Sequence, residues 1–120
     1  MTPFGARLRE LRSARGVTLT RMAGDLDLSP AYLSALEHGR RSCPTPGLVR
    51  QICTYFGLIW DDADTLAALA ARSRPKVTID TGGLSPRATE LANLLAERIG
   101  RLSEAELAAL IAALKRDNSL

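Results

Sequence analysis

The chain has 120 residues but only one histidine and two cysteines, and that scarcity removes much of the chemistry open to a protein of this size. A catalytic or metal-ligating role for His38 needs partners at a recognisable spacing, and the sequence supplies none. Cys43 and Cys53 stand ten residues apart with no CxxC and no matching Cys/His set. Each therefore reads as a small apolar residue, not as a zinc ligand or half of a structural disulfide. A glycine loop that cradles phosphates and an HExxH pair are also missing. No enzyme, metal or cofactor is expected. Long apolar runs are lacking too: the N-terminus carries no signal-peptide core, and no stretch nears the ~20 residues that cross a bilayer. These absences predict a cytoplasmic protein with no membrane partner.

Apolar residues make up 46% of the chain, enough for the packed core of one small domain with an accessory segment. The net charge of +3 is small but lopsided. Residues 1–60 carry eight arginines against four acids, whereas residues 61–120 carry eight basic residues against nine acids. A basic first half joined to a near-neutral second half fits a polyanion-binding module with something attached to it.

Helical periodicity runs through most of the chain. Phe4, Leu8 and Leu11 mark a helix over about residues 3–15, with Arg7, Arg9, Arg12 and Arg15 read as a solvated face and Gly16 as its stop. Thr18 caps a short helix over about 19–26, and Ser29-Pro30 opens another over about 30–37 that Gly39 ends. Thr45-Pro46 starts a fourth, with Leu48, Val49, Ile52, Cys53 and Phe56 as its buried stripe. A fifth covers about 61–72, with Trp60 read as a lid on the core and Asp61, Asp62 and Asp64 at its positive end. Residues 76–80 alternate in the manner of a short strand, and Thr81-Gly82-Gly83 reads as a hinge. Ser85-Pro86 then opens a helix carrying Leu91, Leu94, Leu95 and Ile99. Ser103 and Glu106 form a capping box for a last helix carrying Leu107, Leu110, Ile111 and Leu114.

The stretch SPAYLSALEHGRR, residues 29–41, puts little bulk on one face of a short helix and stops in a positive turn. A helix that must approach base edges closely needs such a face, with Leu33 and Leu36 anchoring it from behind. Its N-terminus can meet a phosphate through backbone N–H groups, and the arginines after Gly39 can meet more.

From FGARLRELRSARGVTLTRMA through SPAYLSALEHGRRSCPTPGLVRQIC, roughly residues 3–70, the chain resembles the XRE, or lambda-repressor-like, helix-turn-helix family of Cro type. The resemblance implies a five-helix all-α DNA-binding domain over 1–72; the rest, read from its residues and matching no known module, is a linker over 73–84 with the short strand, then two amphipathic helices over 85–117, so the expected fold class is all-α apart from that strand. The resemblance also implies double-stranded DNA as the partner, bound by a regulator of bacterial or phage type. Carried over by position, Thr18, Ser29 and Tyr32 bond phosphates. Pro30, Ala31, Ser34 and Ala35 face bases, and His38, Arg40 and Arg41 meet the DNA backbone. Arg21 lies on the helix before and is a further candidate contact. Glu37 and Leu36 stabilise the unit. Leu19 stands where the family often has Gln, and Asp27 where its turn often has Gly, a position Asp tolerates. No Arg, Asn or Gln occupies a base-facing position, so readout falls to thymine methyl contacts, Ser34 and DNA shape.

Two short amphipathic helices need a partner surface for their stripes. A homodimer would cover Leu91, Leu94, Leu95, Ile99, Leu107, Leu110, Ile111 and Leu114, with Val77 and Ile79 pairing as an antiparallel arm. The alternative is that these helices fold back on their own domain. A dimer suits a pseudo-palindromic operator, with repression by promoter occlusion as the simplest mechanism. Activation by touching RNA polymerase, with Asp25 and Asp27 as candidate contacts, is the variant. An antitoxin or adaptor whose last helices hold another protein is the second reading. Charge reversal at Arg40 is expected to weaken binding to all DNA sequences alike and to lower the salt slope of log affinity by about one. Titrations at several salt concentrations check this, and an unchanged slope removes Arg40 from the phosphate contacts.

Overall fold

The computed structural model describes residues 1–39 and 43–116. Arg40 and Arg41 lie outside the described residues. The described chain contains the α-helices α1 (Pro3–Arg15), α2 (Leu19–Asp25), α3 (Pro30–His38), α4 (Pro46–Phe56), α5 (Trp60–Ala71), α6 (Pro86–Arg98) and α7 (Glu104–Lys115), with a single 3₁₀ turn at Ile99–Arg101. It divides into two compact units, Met1–Val77 and Thr78–Leu120.

One local device starts four of these helices. Thr2-Pro3, Ser29-Pro30, Thr45-Pro46 and Ser85-Pro86 each place a hydroxyl at the cap and a proline in the first turn. The hydroxyl accepts from a backbone N–H that has no partner inside the helix, and proline removes another such donor. α7 instead carries the full capping box, Ser103 N–H donating to Glu106 Oε1 at 2.9 Å and Glu106 N–H donating to Ser103 Oγ at 3.1 Å. The hydrogen bond from the Ser103 backbone holds the Glu106 carboxyl below its ordinary range.

The first unit has a single core of Phe4, Leu8, Met22, Ala23, Leu33, Leu36, Leu48, Val49, Ile52, Cys53, Phe56, Leu66 and Ala70. α1 packs on α3 and α5, α2 on α3, and α4 on α5. Two polar residues lie within it, Glu37 and Ser73. Ser73 Oγ accepts from Phe4 N–H at 3.0 Å and donates to Leu69 O at 2.6 Å, fastening the end of α5 to the start of α1. Glu37 is held bidentately by Arg12, Nε to Oε2 at 2.5 Å and Nη2 to Oε1 at 3.0 Å, while Arg12 Nη1 donates to Val17 O at 3.1 Å. The bond to Glu37 raises the Arg12 pKa above its ordinary value, so this cation stays charged at any pH the fold survives.

Several expectations are corrected. No strand exists among the described residues, and the chain there is all-helical. Residues 77–81 carry no regular secondary structure, and an isolated segment has no ladder to hold it as a strand. Val77 and Ile79, 70% and 60% exposed, lie in no strand. Trp60 is no core lid: it is 78% exposed and has φ 54, the left-handed region. Arg12 and Arg15 are not merely solvated. Arg12 follows Phe4 and Leu8 at intervals of four, so it lies on the buried stripe and meets Glu37 there. Arg15 donates to the carbonyls of Tyr55 (2.5 Å) and Phe56 (3.1 Å), satisfying the C-terminal end of α4.

Replacing Arg12 with Met strips the buried Glu37 carboxylate of both hydrogen bonds from Arg12 and leaves only Arg9, 3.8 Å away, and is expected to cost about 3 kcal/mol in urea unfolding. Adding Glu37→Met should recover most of that loss, because two apolar side chains then fill the space. The turn between α2 and α3 gives a second expectation. Asp27 has φ 57. Asp27→Val should therefore lose about 1–2 kcal/mol, whereas Asp27→Gly should be tolerated.

Candidate nucleic-acid interface

α2 and α3 form a tight pair joined by a four-residue turn, residues 26–29. Leu26 N–H donates to Met22 O (3.0 Å), Asp27 N–H to Gly24 O (3.2 Å) and Leu28 N–H to Ala23 O (2.8 Å), so the turn's backbone donors are satisfied where α2 ends. Asp27 takes the left-handed conformation that reverses the chain, the role that glycine fills in many such turns. Met22 and Ala23 on α2 and Leu33 and Leu36 on α3 are buried together, with Leu26 and Leu28 packed against them.

This burial decides which side of α3 is left over. Leu33, Leu36 and Glu37 point inward. Pro30, Ala31 and Tyr32 are exposed, and Ser34, Ala35 and His38 are half-buried. The outer surface is therefore shallow over its first turn, with one aromatic hydroxyl standing out of it. Both capping hydroxyls lie on the exposed side. Ser29 Oγ accepts from Tyr32 N–H and Thr18 Oγ1 accepts from Arg21 N–H, each at 3.1 Å. A hydroxyl used as an acceptor keeps its proton for a second partner such as a phosphate oxygen.

His38 is tied back locally: its Nδ1 lies 2.8 Å from Ser34 O. A carbonyl only accepts, so in the neutral tautomer this contact requires, the proton is on Nδ1 and Nε2 is the acceptor. Arg21 is exposed and lies 3.9 Å from Asp25, a surface pair of little energetic weight. Asp25 also accepts from Tyr55 Oη at 2.6 Å, and that bond raises the Tyr55 pKa. The acid considered as a polymerase contact thus braces α2 against α4.

The structure brings Thr18, Arg21, Ser29, Pro30, Ala31, Tyr32, Ser34, Ala35 and His38 onto one helix pair. It separates Leu91, Leu94, Leu95, Ile99, Leu107, Leu110, Ile111 and Leu114 into the second unit. Residues that position the site were missed on α1. Besides Arg12, Gly5 packs so close to α3 that a Cβ there would overlap the Glu37 carbonyl oxygen. The glycine in F-G-A-R was a visible signal, although its partner was not. Among the described residues no group of His, Cys, Asp and Glu is arranged to hold a metal ion, and no helix is long and apolar enough to cross a membrane.

Comparison with known proteins agrees with this geometry. The family model described as helix-turn-helix domain matches residues 3–69, which is more than half of the chain. The uncharacterized HTH-type transcriptional regulator RghRB of Bacillus subtilis (strain 168) is 40% identical over 62 residues, 52% of this chain and 45% of that protein. The HTH-type transcriptional repressor RghR of the same organism is 32% identical over 65 residues, 50% of this chain and 48% of that protein. The HTH-type transcriptional regulator PrpR of Mycobacterium tuberculosis (strain ATCC 25618 / H37Rv) is 47% identical over 45 residues, 38% of this chain and 9% of that protein. The chain thus spans about half the length of the Bacillus relatives and a small part of the mycobacterial one. No solved structure matches. With the matched segment running from the start of α1 into α5, the chain belongs to the helix-turn-helix domain family.

Proposed function

We propose that the chain is a sequence-specific DNA-binding transcriptional regulator that acts as a homodimer on a pseudo-palindromic operator and represses by occluding a promoter. The observation that carries this reading is the outer surface of α3, exposed at Pro30, Ala31 and Tyr32 and anchored from behind by Leu33, Leu36 and Glu37. Such a surface fits the floor of a major groove, where small side chains allow close approach. Ser29, Thr18 and Tyr32 supply hydroxyls for the flanking phosphates, and Arg21, Arg40 and Arg41 supply charge. Phosphate contacts then set register, while Ala31, Ser34, Ala35 and the bendability of the operator set preference.

The homodimer draws its support from α6 and α7. Neither buries a single residue, and Leu91, Leu94, Ile99, Leu110, Ile111 and Leu114 are all exposed. Apolar stripes of this extent are covered in a stable protein, and a second copy supplies the same stripes in return. The same exposure favours the second reading, an antitoxin or adaptor whose α6–α7 surface holds a different protein.

Selection of bound duplexes from a random pool by the purified chain, paired with sedimentation equilibrium, tests both parts. The expected outcome is a dimer at micromolar concentration that enriches an inverted repeat with half-site centres about 34–36 Å apart. Leu94→Asp with Ile111→Asp should give monomers that lose the repeat and keep the α1–α5 fold. Enrichment of nothing refutes sequence-specific binding. A native chain that is monomeric refutes the homodimer and favours a heterologous partner.

A further inference from the structure

The first unit contains a cavity that the α3 surface does not use. It lies between α4 and α5 and has a volume of 760 Å³. Cavities of about 300–1,000 Å³ are the usual size of small-molecule sites. Its origin is local. Toward this space α5 offers only alanines among its apolar side chains, Ala63, Ala67, Ala70 and Ala71, and α4 faces them with Val49 and Cys53. Larger residues at these helical intervals would close the gap. Burial pushes the Cys53 thiol up from its ordinary pKa, so it stays neutral and belongs to the apolar floor.

The rim is charged. Arg50 and Arg74 line it with one carboxylate, Asp64. Among the described residues neither arginine enters an ion pair. Two guanidinium groups against one carboxylate leave one positive charge at the edge of an apolar recess, and an arginine fork suits a carboxylate. We propose that this cavity binds an amphiphilic monocarboxylate, its hydrocarbon body on the alanine floor and its carboxylate on Arg50 and Arg74. Cys43 and Pro44 also line the cavity, immediately after residues 40–42, which include Arg40 and Arg41. A ligand there touches Cys43 and Pro44, the next described residues in sequence after the arginines proposed to meet phosphate, which makes it an effector of DNA binding; that consequence rests on the function proposed above, whereas binding itself does not.

The test therefore omits DNA. The ¹⁵N-labelled full chain is titrated with decanoate and, separately, with decanol. Decanoate should saturably shift amides of α4 and α5 around Cys53 and Ala67, and decanol should bind at least about tenfold more weakly. Ala67→Phe should fill the recess and abolish the shifts. Arg50→Gln with Arg74→Gln, both at exposed positions, should bring the two probes to equal affinity. The proposal is overturned if the native chain binds neither probe or binds both equally. It is also overturned if Ala67→Phe leaves the decanoate shifts intact, or if they are confined to α6 and α7, which marks adsorption to exposed leucines.

Discussion

Everything that positions α3 depends on how closely α1 lies against it, and Glu37 is the point of contact. Its side chain is fully buried and gripped by Arg12, with Arg9 3.8 Å away. Its carbonyl oxygen sits against Gly5. One turn of α3 is thus fixed on α1 by an ion pair on one side and by backbone-to-helix contact on the other. At the end of the same helix Gly39 has φ 65, and a Cβ there would overlap the methyl group of Thr2. The chain must also reverse there, which the left-handed conformation allows without side-chain strain. A buried ion pair adds little net stability compared with apolar packing, but it has one satisfactory geometry. That geometry sets the rotation of α3 about its axis, and hence which residues face outward.

The hydrogen bonding around this contact leaves little slack. Thr2 and Ser73 each accept from the first N–H groups of α1, and Ser73 passes its own proton to Leu69. Arg15 closes the carbonyl end of α4, where its guanidinium also lies 5.2 Å over the Phe56 ring. Tyr55 reaches from α4 to Asp25 on α2. No buried side-chain polar atom among the described residues lacks a partner. A scaffold connected in this way presents a rigid helix pair, and a rigid reader loses less entropy on binding than one that must order first.

The two units rest on different physics. In the first, five helices bury a shared core. In the second, α6 and α7 are well-capped amphipathic helices that bury none of their residues. Caps and periodicity suffice to start and stop a helix, but most helical stability in a protein comes from packing of an apolar stripe. This is the physical ground on which the homodimer is proposed for the second unit.

Local rules determined most of what could be read from the residues alone. Hydroxyl-proline pairs, glycine stops, the capping box and the apolar stripe of α4 act within one or two turns, so the helix positions and the exposed side of α3 were legible in the sequence. Asp27 in a left-handed turn was legible for the same reason. Tertiary structure decided the rest. Arg12 looks like any other arginine until Glu37, 25 residues on, is brought beside it. Trp60 looks like core until the helix it starts turns its ring to solvent. Residues 76–80 look like a strand until no second strand arrives to pair with them. In each case the outcome hangs on a partner, present or absent, that is distant in the chain, and no local propensity encodes where such a partner will be.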